Sequence, residues 1–373
     1  MAPPTRFSRR RALQLAASAG GLAAAAGLVG CRRTQGPSGV LLSVRGAMPA
    51  AWLKALPSPW QSQPFESPAA LLARATAAAP AAASTEPTAR LLALGDGWAL
   101  QLARRRLQPI EAPALLGRLA PFAAAPSRLF APQGSAALAV PWAFGCWLLL
   151  LRDRPDLQRR RAEGWQLLLD PSLRGRLVLP SSPRLVIDLA CRQLGIPATA
   201  PALADPRLPD QLQRLLRQAA AFDERDGLNL VLAGDADAAV LPSYQAIPVL
   251  LSDPSLSAVL PAAGAPLWWE LLLQAAGPPN AASPAGSAPA FPEAWLAEAW
   301  ELPLLDRLLA GGWVPPLPEA TLAPALARWP ERLRPLLLPP APVLERCSSL
   351  EPWSSDERAA WQQLWDRAVA AGS

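Results

Sequence analysis

Short apolar runs alternate with stretches of helical period from residue 40 to the C-terminus. The runs at 40–44, 90–94, 140–151, 176–180, 236–241 and 256–261 read as strands, the last leading into a longer apolar run at 264–273. Helical period marks 49–56, a segment after Asp96 reaching to about Leu107, and a helix closing at 165–171. It also marks 183–194, which stops at Gly195, an amphipathic stretch at 208–222, and most of the chain beyond 292. Segments 36–39, 77–88 and 277–292 are rich in Gly, Pro, Ala and Ser and read as linker or loop. Strands alternating with helices predict an α/β fold with largely parallel sheets. No internal repeat is visible.

The first thirty residues obey another pattern. Ser8-Arg9-Arg10-Arg11-Ala12-Leu13 sets consecutive arginines before an apolar residue, as twin-arginine export signals do. Residues 12–30 carry no charge and end in Leu28-Val29-Gly30-Cys31, which resembles the lipobox of bacterial lipoproteins. About 19 uncharged residues could nearly span a bilayer. Their weak Ala/Gly hydrophobicity, the arginines and the lipobox instead favour a cleaved signal at 1–30, with Cys31 as the lipid-attachment residue and a linker over 31–39. The expectation is a periplasmic lipoprotein that crosses the membrane already folded and stays tethered by lipid. No later apolar run reaches membrane-spanning length.

Composition narrows the chemistry. At 373 residues with 51% hydrophobic content, the chain can bury the cores of two medium domains. It contains no histidine, which removes Ser-His-Asp and Cys-His catalysis and the usual zinc and non-haem iron sites. Its one lysine, Lys54, follows Ala51 by three positions and sits in no Gly-Lys-Ser/Thr run, so neither a Ser-x-x-Lys nucleophile nor a phosphate-binding loop is present. No cofactor and no metal are expected. The formal charge of +6 overstates the basic character: residues 1–30 hold four arginines and no acid, leaving 31 basic against 29 acidic side chains. That balance gives no case for nucleic acid, and the triplets Arg104–Arg106 and Arg159–Arg161 read as solvated helix faces. Cys146 and Cys191 lie in apolar surroundings. With Cys347 they make three, so at most one disulfide can form among them, and small buried hydrophobes are the simpler reading.

Several phrases, in order along the chain, resemble the spermidine/putrescine-binding family of periplasmic solute-binding proteins that serve ABC importers. Residues 91–111 resemble its strand, turn and helix ending in Gln108-Pro109-Ile110-Glu111. Val140-Pro141-Trp142-Ala143-Phe144-Gly145 resembles its first crossover. Residues 165–195 are the strongest stretch, with Trp165, Asp170-Pro171, Gly175-Arg176-Leu177 and Pro183-Arg184. Leu232-Ala233-Gly234-Asp235 resembles its turn before a strand returning to the cleft, and 261–270 its second crossover. The resemblance implies a two-lobe periplasmic-binding-protein-like fold: two mixed or parallel sheets flanked by helices and joined by crossover hinge segments. On that pattern lobe 1 spans 40–139 plus 264–315, and lobe 2 spans 140–263 plus 316–373. A small solute would bind between them in a monomeric, non-enzymatic protein whose other partners are ABC permease subunits.

By the same resemblance, Trp268 and Glu270 fall on a Trp-x-acid pair that meets a ligand cation. Asp96 and Trp98 sit at a strand end facing the implied cleft, and Trp142 and Phe144 occupy the first crossover. Asp96 between two glycines is equally a turn or cap residue, and a tryptophan in a chain with fifteen more often serves packing. Glu270 in an apolar run must meet a ligand cation or a buried arginine. The departures are specific: Ser181, Ser182 and Leu185 stand where the family carries acids, Pro242-Ser243 where it carries a stacking tryptophan, and Arg45 where its polyamine binders carry an acid. Arg45, Ser181, Ser182 and Ser243 are therefore secondary candidates. The ligand is either a smaller or less charged amine, or something else, anionic, met through Arg45 and Arg184. A sensor or accessory lipoprotein of the same fold is the competing function. A carboxylate-dependent enzyme would need a paired-acid motif that the sequence does not display.

Overall fold

Eleven strands organise the protein in a computed structural model that describes residues 39–77, 89–276 and 289–371. They are β1 (Gly39–Val44), β2 (Trp60–Phe65), β3 (Ala89–Gly95), β4 (Leu107–Gln108), β5 (Ala139–Arg152), β6 (Leu177–Leu179), β7 (Ala219–Phe222), β8 (Ala238–Pro242), β9 (Leu256–Val259), β10 (Pro266–Ala275) and β11 (Ser348–Ser349). Their order is β2-β1-β3-β10-β5-β8-β6-β7, with β4 and β11 attached to β10 and β9 to β5. β1 pairs in parallel with β2 and β3, while β6 pairs in parallel with β7 and β8. β10 and β5 run antiparallel to each other between these two parallel groups.

β5 belongs to both halves. Its residues Ala139–Cys146 pair with β10, and Trp147–Arg152 pair with β8 and β9. It is apolar and buried almost throughout, as a strand covered on both faces requires. A third segment joins the same junction, where Phe144 and Val314 exchange backbone hydrogen bonds of 2.9 and 3.3 Å. The described residues thus show the mixed α/β sheet architecture expected.

Several predicted elements differ, and each difference has a tertiary cause. The helix expected over 208–222 is the helix Leu208–Leu216 followed by β7, because Ala219–Phe222 finds the edge of β6 to pair with. β2 was not expected at all: as an edge strand with four consecutive exposed residues it carries no apolar alternation, and β1 alone imposes its extended shape. The helix after Asp96 ends at Ala99, and Arg104–Arg106 form a 3-10 turn rather than a helix face. There Arg104 donates to the Leu129 carbonyl (2.8 Å) and Arg106 to that of Thr76 (2.7 Å). Arg161–Leu169 is also 3-10 rather than α-helical, bent at Gly164 where φ is +61°. Arg160, beside it, pairs with Glu163 and Asp170. The helix Pro183–Leu194 has the predicted bounds and ends at Gly195 in the left-handed region, as the apolar period and the glycine stop demanded. Residues 1–38, including Cys31, and most of the segments 77–88 and 277–292 read as loop lie outside the described residues.

Candidate functional site

The C-terminal ends of β1, β2 and β3 lie along one sheet edge, the usual ligand-facing edge of such sheets. Asp96 follows β3 there, and antiparallel pairing sets Gly95 opposite Glu270 of β10. A bulge falls at Glu270: its partner on β5 is Ala143, while Leu271 pairs with Pro141, leaving Trp142 as the extra residue. The Trp142 carbonyl accepts instead from the Trp300 indole at 3.2 Å.

Asp96 and Glu270 bring two carboxylates together. Asp96 accepts the backbone N–H groups of Gly97 and Trp269. Glu270 has no hydrogen bond and no ion pair among the described residues. Burial pushes the Asp96 carboxyl up to about 6, against the pull of those N–H groups and of Arg184. Burial, and then the neighbouring Asp96, push Glu270 up to about 8. No arginine among the described residues neutralises Glu270.

On the side of β8, Tyr244 lies within electrostatic reach of Glu270 and gathers two further rings. Tyr244, the only tyrosine in the chain, opens the helix Ser243–Ser252 that follows β8. Its ring meets Trp268 edge-on at 5.0 Å and lies parallel to Trp313 at 6.4 Å. Burial, and then the nearby Glu270, push its phenol up to about 12. Gly312 makes this approach feasible: a Cβ there would lie 2.6 Å from the Tyr244 Cα. Gly145 does the same on β5, where a Cβ would lie 2.2 Å from the Ser243 Oγ and 2.6 Å from the Trp268 ring. The Ser243 hydroxyl and the Trp268 indole N–H are both buried without a protein partner, the kind of orphan that native interiors rarely leave without a purpose.

The other sequence candidates fall elsewhere. Trp142 and Phe144 are fully buried and offer a ligand no surface in this conformation. Trp142 packs edge-on to Trp52 at 5.1 Å, and Phe144 stacks on Trp269 at 5.5 Å. Trp98 is half-buried against the core. Arg45 is exposed and held by Glu66 at 2.7 Å, so its charge is already matched. Ser181 donates its N–H (2.6 Å) and its hydroxyl to Glu224, and Ser182 precedes the helix Pro183–Leu194 without a side-chain capping bond. Tyr244 and Trp313 were missed by sequence reasoning. The uniqueness of the tyrosine and the Gly311-Gly312-Trp313 phrase were the available signals.

Arg184 stands apart from these pairs. Its guanidinium lies 4.5 Å above the Trp353 ring, within electrostatic reach of Asp96 and without an ion-pair partner among the described residues. It borders a groove of about 480 Å³ that also takes in Asp188, Arg192, Arg346, Cys347 and Trp353. Among the described residues no cluster of His, Cys, Asp and Glu is suited to a metal ion, and no helix is long and apolar enough to cross a membrane.

No protein-family model and no curated protein matches the chain. Solved structures do. A spermidine/putrescine ABC transporter substrate-binding protein from Streptococcus pneumoniae, in complex with calcium and HEPES, superposes with a TM-score of 0.67 at 15% identity, over 90% of this chain and all of its own. A lipoprotein of Treponema pallidum gives 0.58 at 14% identity, over 89% of this chain and 98% of its own. A binding protein from A. tumefaciens R10 in complex with agropinic acid gives 0.54 at 16% identity, over 90% of this chain and 97% of its own. This protein therefore has the two-lobe fold of periplasmic binding proteins.

Proposed function

We propose that the protein is an extracytoplasmic solute-binding protein that takes a small cationic amine between two lobes and delivers it to the permease subunits of an ABC importer. The lobes would be 40–139 plus 264–315 and 140–263 plus 316–373. The observation that carries the reading is the Asp96–Glu270 pair, two neighbouring carboxylates with no ion-pair partner among the described residues. An ammonium group placed there gains charge-assisted hydrogen bonds from both carboxylates as they give up their protons. Tyr244, Trp268 and Trp313 supply π faces for the same cation or for the methylenes attached to it. The strands crossing at Gly145, Glu270 and Val314 are narrow connections of the kind about which two lobes close over a ligand. No step of bond making or breaking is needed, and the protein acts as a receptor rather than an enzyme.

The test is a calorimetric titration with putrescine, spermidine and simple monoamines, alongside a thermal-shift screen of the same compounds. Binding of at least one amine, with a rise of several degrees in Tm, is the expected outcome. Silence toward every amine, amino acid and oxyanion would leave the fold as an accessory or sensor lipoprotein. Arg184 favours a second ligand class, since an amine that also carries a carboxylate could set its two ends on the Asp96–Glu270 pair and on Arg184. Tighter binding of ω-amino acids than of diamines would select it.

Anchoring through Cys31 completes the reading, the twin-arginine signal and the Leu28–Cys31 phrase being its support. Cys31→Ser is expected to move the protein from the membrane fraction to the soluble extracytoplasmic fraction. Persistent sedimentation with membranes in 1 M salt, a concentration at which screening suppresses electrostatic adsorption (Debye length about 3 Å), would rule the anchor out.

A further inference from the structure

Cys146 and Cys347 are 201 residues apart in the chain, yet their sulfurs approach to 3.9 Å. We propose that this pair is an oxidation site, at which Cys347 exchanges with a disulfide-bearing oxidant and then closes a Cys146–Cys347 disulfide beside the inter-lobe crossover.

The two thiols are unequal in the way such a reaction needs. Cys146 is fully buried on β5. Cys347 is half-buried and borders the 480 Å³ groove, so a reagent reaches it first. The Cys347 sulfur accepts the Ala265 N–H at 3.3 Å, and Arg192 and Arg346 add positive charge around it. With the Cys146 thiol as the leading influence, these hold the Cys347 thiol down to about 7 against burial, while Cys146 is pushed well above its ordinary range. Cys347, the more exposed of the two, donates to the Val343 carbonyl at 3.3 Å while protonated and is the nucleophile once ionised. Cys191 cannot substitute: it is buried on the helix Pro183–Leu194, with its thiol pushed up to about 12 mainly by burial.

The chemistry balances as thiol–disulfide exchange. The Cys347 thiolate attacks one sulfur of the oxidant, expels the other as a thiol and holds a mixed disulfide. Cys146 then gives up its proton, attacks the Cys347 sulfur and releases the second thiol. Two protein thiols are oxidised while one disulfide is reduced to two thiols. Closure requires the sulfurs to approach by about 2 Å, which side-chain rotation must supply. The backbone at Cys347 is pinned, since a Cβ at Gly264 would lie 2.2 Å from the Arg346 carbonyl oxygen. The product would tie β5, the strand shared by both halves, to the segment that leads into β11.

The full chain treated with oxidised glutathione at pH 8, then denatured, alkylated, digested and analysed by mass spectrometry, decides the matter. The expected result is a reductant-sensitive peptide pair joining Cys146 to Cys347, with Cys191 alkylated. Cys146→Ser should stop at a glutathione adduct on Cys347, and Cys347→Ser should leave Cys146 unmodified in the folded protein. Complete alkylation of both Cys146 and Cys347 in the treated wild-type chain, or a glutathione adduct on Cys347 that never resolves, overturns the proposal.

Discussion

Glu270→Gln should weaken binding of an amine cation by about 2 kcal/mol, roughly thirtyfold in Kd, and at the same time raise the Tm of the empty protein. Both effects come from one fact: this carboxylate has no partner within the protein. Glutamine keeps the side chain's shape but removes the charge that a desolvated ammonium would pair with, so affinity falls. In the empty protein the same change removes the cost of holding a proton on Glu270 at pH values where the unfolded chain has released it. Asp96→Asn is expected to differ in sign on stability. Its carboxylate accepts the N–H groups of Gly97 and Trp269, and an amide turned either way serves those donors less well. Calorimetry with the amine found in the screen, and thermal melts of both variants without ligand, read the two effects separately. An affinity unchanged in Glu270→Gln would remove this residue from the site.

Stability and affinity should also respond to pH in opposite directions. The folded protein holds protons on Asp96 and Glu270 at pH values where the unfolded chain has released them, since their carboxyls titrate near 6 and 8 rather than near 4. The resulting stabilisation is fully present below about pH 4 and is lost as pH rises through 6 and then 8. Between about pH 4 and pH 8 the empty protein should therefore become progressively less stable, and its Tm should fall. Arg184 stays charged throughout and Tyr244 stays neutral, so neither reverses the trend. A cation, by contrast, needs the ionised pair. Its affinity should fall by up to about tenfold per pH unit for each of the two carboxylates that is protonated, and binding should release protons to the buffer. Titrations at pH 5.5 and 8 in buffers of different ionisation heat measure both quantities. A pH-independent Kd, with no proton release, would show that the ligand does not sit on these carboxylates.

Much of the architecture was legible in the chain. The helix Pro183–Leu194 stands where its apolar period and Gly195 placed it, because helix signals are local: four residues of spacing and one glycine suffice. β5 and β10 were legible as long apolar runs, since a strand buried on both faces needs no polar alternation. β2 and β7 were not. Both are edge strands whose shape is imposed by a neighbour rather than by their own residues. Within the site, Glu270 stood out as an acid in an apolar run and Asp96 as an acid after a strand. Trp142 and Phe144 are fully buried, their rings packed on Trp52 and Trp269, a placement that depends on partners distant in the chain.

The sequence by itself determined the alternation of strands and helices, the exclusion of histidine-dependent chemistry and the candidacy of Glu270, all of which depend on residue type and short-range spacing. Only the tertiary structure decided what faces what. Antiparallel pairing of β3 with β10 set Asp96 against Glu270. The glycines at 145 and 312 let Ser243 and Tyr244 close in, and the turn at Gly264 brought Cys347 to Cys146. Those contacts join residues 68 to 201 positions apart. No local propensity encodes such meetings; they exist only once the sheet order has been fixed by burial of the whole chain.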